Sequence, residues 1–210
     1  MFDISEFLEK NYQFFQQPEH WWEKAIELRR AARNLYRATL PDIRRYESAC
    51  KKAANKFLKS TRDEALIKCR EPQVLPVFML HGMSLENAFK ALIVCRNSKL
   101  VGSNKILRDL HIHDLSKLAK LAGIPLSRSE EQMLDWLSEV VIWKGRYQLP
   151  TAAKYLGTFW VLDGTIVDEI KPSNRTVDGV FARIESALRP SLPKSRVRYS
   201  KLVRWHTNGT

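Results

Sequence analysis

Residues 77–96 admit few folds. Written as a helix, Phe78, Leu80, Leu85, Phe89, Leu92 and Ile93 spread around most of its circumference. A helix that is apolar on all sides is stable only where other elements enclose it. A membrane span would also hide such a helix, but His81, Glu86, Asn87 and Lys90 interrupt the run and argue against one. The spacing therefore predicts a central, buried helix. Its surroundings should be helical too, because the flanking chain repeats apolar residues at three- and four-residue steps.

Pro18, Glu19 and His20 open a helix expected to reach about residue 38, with Trp21, Trp22, Ala25, Ile26, Leu28, Ala32, Leu35 and Tyr36 as its apolar positions. Arg29, Arg30, Arg33 and Arg37 dominate much of its remaining surface. Leu40-Pro41 reads as a break, and Pro41 as the opening of a second helix over 42–58, where Lys51, Lys52, Lys56 and Lys59 make another basic face. Asp114 as N-cap and Gly123 as stop delimit a short helix over 114–122. Ser127 and Glu130 have capping-box spacing, and the helix behind them carries Met133, Leu134, Leu137, Val140 and Val141 to an end near Gly145. Residues 174–188 place Val177, Val180, Phe181, Ile184 and Leu188 on one side of a further helix.

The expected fold class is therefore all-α: an antiparallel up-and-down helical bundle with a mixed C-terminal extension. In that extension, two β-prone runs over 159–167 meet at Asp163-Gly164 and read either as a short β-hairpin or as irregular cover on the bundle. Residues 1–188 read as one domain. Residues 189–210 read as a basic tail carrying Arg189, Lys194, Arg196, Arg198, Lys201 and Arg204.

The 35 Lys and Arg against 23 Asp and Glu leave a formal charge of +12, which favours a polyanionic partner. Cys50, Cys69 and Cys95 are an odd set without CxxC spacing, so neither a disulfide framework nor a zinc ribbon is expected. Free thiols fit a reducing cytosol, and the N-terminus shows no signal-peptide pattern, so the expected location is cytoplasmic. Walker, GxGxxG, GxSxG and HExxH patterns are absent, and no cofactor is expected. No metal is expected either: His111 and His113 are only two ligands, and residues two apart on a helix point to different faces.

Three groups of residues have a pattern suited to chemistry. Glu86 and Lys90 stand four apart, share a helix face and can pair, with Asn87 on the adjoining stripe. Either they form an internal ion pair that sets helix register, or Lys90 lines a cleft and meets a phosphate. Arg108 and His113 have Arg-x4-His spacing. An arginine that holds a phosphate and a histidine that moves a proton suffice to cleave RNA through its own 2′-hydroxyl without metal. The alternative for His113 is a bracing role in the turn before the Asp114 cap. Arg146 and Tyr147 follow Gly145 at a helix exit, where they can hold a phosphate and stack a base, or form a hinge sealed by the tyrosine ring.

SLENAFKALIV from Ser84, HDLSKL from His113 and GRYQLP from Gly145 occur in an order that resembles the HEPN domain over about residues 77–150. The resemblance implies an up-and-down helical bundle, a homodimer, and binding of a nucleotide or RNA in a basic cleft built by Lys90, His113, Arg146 and Tyr147. It also implies toxin–antitoxin or phage-defence systems, with an antitoxin or a nucleotidyltransferase as protein partner. Ribonuclease members of the family carry Arg-x4-6-His; here Arg108 and His113 have that spacing, whereas no histidine follows Arg146 through Lys154. The alternatives are a metal-independent endoribonuclease toxin using Arg108 and His113, and a non-catalytic protein-interaction module.

Overall fold

The computed structural model describes residues 16–59, 72–100, 110–144 and 174–192. Among these the architecture is all-α, without strands. Helix α1 spans Pro18–Lys59, and α2 spans Leu75–Arg96, followed by a 3-10 turn at Ser98–Leu100. Helix α3 is Leu115–Leu121; α4 is Arg128–Glu139 and runs into a π-helical turn, Val140–Lys144; α5 is Asn174–Leu188. The segment around Asp163-Gly164 and the chain beyond residue 192 lie outside the described residues.

Helix α2 is the centre. Thirteen of its residues are buried, as an apolar circumference requires. Leu85, Phe89 and Leu92 share one core with Leu115 and Leu118 of α3, Met133, Leu134 and Leu137 of α4, and Val180, Phe181 and Ile184 of α5. Burying each such large side chain stabilises the fold by roughly 1.5–3 kcal/mol. Among the described residues α2 is also the one helix long and apolar enough to cross a membrane, and 72% of its apolar window is buried inside the fold.

Local rules place the smaller helices. Asp114 caps α3 by accepting from the Lys117 N–H at 2.8 Å, and Gly123 follows with φ 62°, the left-handed conformation that glycine adopts at a helix end. Helix α4 opens on a reciprocal capping box: Glu130 N–H donates to Ser127 Oγ at 3.3 Å, and Ser127 N–H donates to Glu130 Oε2 at 2.9 Å. Polar bonds then tie α3 and α4 together. The Leu115 N–H donates to Ser138 Oγ at 2.8 Å, and Ser116 Oγ donates to Asp135 at 2.5 Å. One contact needs a residue with no side chain: a Cβ at Gly82 would stand 2.4 Å from Val141 Cγ2 and 3.3 Å from the Leu137 carbonyl oxygen. Helices α2 and α4 approach that closely because residue 82 is glycine.

The break expected at Leu40-Pro41 is not formed, and α1 runs through as one helix of 42 residues. Proline removes the amide hydrogen that would bond the Arg37 carbonyl. Arg37 and Pro41 are both exposed, so the bereaved carbonyl lies on the solvent side, where water can satisfy it. At about 1.5 Å per residue, α1 is about 63 Å long. It packs antiparallel to α2: Ser84 Oγ donates to the Ala25 carbonyl at 2.8 Å, while Lys90 sits over the Trp21 ring. Continuing this register brings Leu75, the first residue of α2, beside the turn around Leu35. Residues 36–59 run on past that point for roughly 35 Å. Burial follows the same division, since the fully enclosed residues described in α1 are Trp22, Ala25 and Ala32.

Candidate nucleic-acid interface

The first polar cluster lies on the central helix. Lys90 Nζ stands 2.7 Å from Glu86 Oε1, and their side chains are only 6% and 10% exposed. The lysine also lies 5.6 Å from the Trp21 ring centroid, a cation–π contact in a desolvated place. The internal ion pair is thus the arrangement Lys90 adopts, and its charge points into the fold. The chain brings a third group to the same carboxylate: His113 Nδ1 is 3.1 Å from both Glu86 oxygens, with 53% of the imidazole side chain exposed. An ionised carboxylate only accepts, so Nδ1 carries the hydrogen and, in a neutral ring, Nε2 is the acceptor. Asp114 turns the chain into α3 immediately after His113, and this turn positions the imidazole over α2.

Lys90 and His113 are therefore joined through Glu86, a residue that spacing alone paired only with Lys90. The contact of Glu86 with His113 crosses 27 residues of sequence and has no local signal. Arg108, Arg146 and Tyr147 lie outside the described residues. Among the described residues, no group of three or more His, Cys, Asp or Glu is placed to hold a metal ion.

The second cluster is a row of cations on α1. Arg30, Arg37, Arg44 and Lys51 recur every seven residues, and all four are exposed. Seven residues rise about 10.5 Å and turn only about 20° short of two full turns, so the row stays on one side over about 31 Å. None of the four has a carboxylate partner among the described residues. The ion pairs of α1 go elsewhere: Lys24 to Glu27 at 3.3 Å, Arg45 to Asp42 at 3.3 Å, and Arg29 and Arg33 to Asp178 at 2.8 Å each. From Arg29 to the end of α1 the sequence holds ten Lys and Arg against two carboxylates, Asp42 and Glu47.

Asp178 explains why Arg29 and Arg33 differ from the row. Arg29 donates through Nε and a terminal nitrogen to Oδ1, Arg33 donates to Oδ2, and the Arg29 guanidinium lies 4.1 Å above the Phe181 ring. Burial pushes the Asp178 carboxyl up, but the hydrogen bonds and charges of Arg29 and Arg33 outweigh it and hold the group below the usual carboxylate range. These two arginines dock α5 on α1; the row is left to solvent. Read from the sequence alone, Arg30 and Arg37 belong to one basic face and Lys51 to another, whereas Arg44 belongs to neither. Their common period becomes visible only when the helix is continued through Pro41.

Comparison with protein-family models, with curated proteins and with solved structures finds no match to this chain, so the geometry of its own residues carries the functional reading.

Proposed function

We propose that the protein binds RNA, and that the row Arg30, Arg37, Arg44 and Lys51 makes the phosphate contacts. The observation that carries this is the row itself: four exposed cations in register along one helix, with no carboxylate partner among the described residues. Like charges kept side by side have no use in packing, and they suit a polyanion whose condensed counterions they can release. The formal charge of +12 and the likeness of the central segment to HEPN domains support the same reading. Lys90 serves here as a packing group, and any part of Arg146 and Tyr147 would be additional to the row.

Binding of this kind weakens steeply with salt. Four phosphate contacts correspond to a slope of roughly −3 to −4 in log K against log salt. A fluorescence-anisotropy titration of the full chain with labelled RNA at several salt concentrations measures it. Replacing all four cations with glutamine should remove most of the slope. If no RNA binds even at about 50 mM salt, this function is wrong.

One observation favours a second reading, the metal-independent endoribonuclease. The Glu86 carboxylate orients a half-exposed imidazole, as a general acid/base requires. Growth arrest on expression, relieved by His113→Ala and retained in His111→Ala, would support it. Unchanged RNA after prolonged incubation with the purified protein would remove it.

A further inference from the structure

We infer that the RNA recognised by the α1 row is double-stranded and is contacted across its shallow minor groove, without insertion of the helix into a groove; this rests on the RNA-binding reading above. Flexible single strands are held chiefly by stacking successive bases on aromatic side chains; the guanidiniums of the row, about 10.5 Å apart, stand too far from one another to stack successive bases. Among the described side chains, the exposed face of α1 offers no aromatic surface. Among its described side chains, Trp22 is buried, and Trp21, Tyr36 and Tyr46 are half-buried on other sides. At three-residue spacing the cations have Arg33, Leu40 and Glu47 beside them; at four-residue spacing their neighbours are small. Four residues beyond Arg30, Arg37, Arg44 and Lys51 stand Asn34, Pro41, Ser48 and Asn55, all exposed. At four-residue spacing each lies one turn on, beside its cation.

Lacking aromatic side chains among the described residues, such a face suits what a nucleic acid displays along its backbone. A rigid file of charges about 31 Å long gains most from phosphates already held in place, which a duplex supplies and a loose strand does not. The two duplex forms differ in what they ask of a helix. The B-form major groove is wide enough to admit one. A helix lying in it would meet phosphates on both flanks and turn base-reading side chains inward. Here the unpaired cations of the row run in single file; on the parallel file Ala31 and Ala38 are small, and Arg45, which pairs with Asp42, and Lys52 follow them toward the end of the helix. The A-form major groove is too narrow to enter, and its shallow minor groove displays phosphates and 2′-hydroxyls. Arginine and lysine match the first, and the amides of Asn34 and Asn55 and the hydroxyl of Ser48 can bond the second.

The experiment uses the full chain and four labelled probes of one sequence: a blunt RNA duplex of about 20 base pairs, the same DNA duplex, and each RNA strand alone. At moderate salt the RNA duplex should bind about tenfold tighter than any of the others. Arg37→Gln combined with Arg44→Gln should cut the duplex-RNA salt slope by about two, with an unchanged helical circular-dichroism spectrum. Asn34→Ala combined with Ser48→Ala should narrow the RNA-over-DNA preference and leave the slope in place. Single strands bound as tightly as the duplex, or DNA duplex bound tighter than RNA, overturn the inference and leave RNA binding by the row intact. Absence of binding to every probe overturns the RNA reading itself.

Discussion

Arg29 and Arg30 are neighbours in the chain and differ in everything the fold does with them. Arg29 lies over Phe181 and grips Asp178; Arg30 faces solvent and begins the row. The whole of α1 divides the same way. Its first turns lean on α2 and α5, with Arg29 and Arg33 held by Asp178, whereas in residues 36–59, which continue past α2, Arg45 is the one cation with a carboxylate partner among the described residues. Identical side chains thus act as rivets or as a display, even one residue apart. The distinction is made by whether a carboxylate waits on the facing helix.

Substitutions can break that comparison, and the largest effect should come from its docked side. Phe181→Ala removes the ring beneath Arg29 and beside Trp22, whose centroids are 4.9 Å apart, and should cost about 3–5 kcal/mol in chemical denaturation. Glu86→Gln leaves the buried Lys90 charge without its partner and should cost about 3 kcal/mol; a smaller loss would show that water reaches Lys90. Gly82→Ala forces the added methyl against Val141 and should lower stability by about 1–3 kcal/mol, read as a reduced melting temperature.

Asp178→Asn sharpens the comparison, because it turns Arg29 and Arg33 into unpaired cations like those of the row. The pair is partly exposed, so the loss should be about 1 kcal/mol. Its pH dependence has a definite sign. A carboxyl held below its unfolded value stabilises the fold above the ordinary carboxylate range, and that contribution disappears as pH falls through the lowered folded value. Wild type and Asp178→Asn should therefore converge in stability on acidification. The smallest effect is expected from the fourfold glutamine variant of the row, whose stability should stay within about 0.5 kcal/mol of wild type. A large destabilisation would place the row among the packing groups and end the distinction.

Much of the fold was legible because the deciding forces are local. The capping box at Ser127 and Glu130, the Asp114 cap and the apolar side of α5 each involve residues within a turn or two of one another. Helix α2 was legible as central because a circumference without a polar side leaves no other place for it. Pro41 misled because its cost depends on where the freed carbonyl points, a property of the whole bundle. That error also hid the candidate interface, since ending a helix near Ala38 separates Arg30 and Arg37 from Arg44 and Lys51. The closeness at Gly82 and the grip of Glu86 on His113 are tertiary, and no spacing rule announces them.

The seven-residue period sets a condition on the medium. Neighbouring members of the row are about as far apart as the Debye length at 0.1 M ionic strength, so ordinary salt mutes their mutual repulsion. Near 0.01 M the Debye length grows to about 30 Å, roughly the length of the row, and every member then feels every other. In dilute buffer the outer half of α1 should fray, losing helicity that either added salt or a bound polyanion restores.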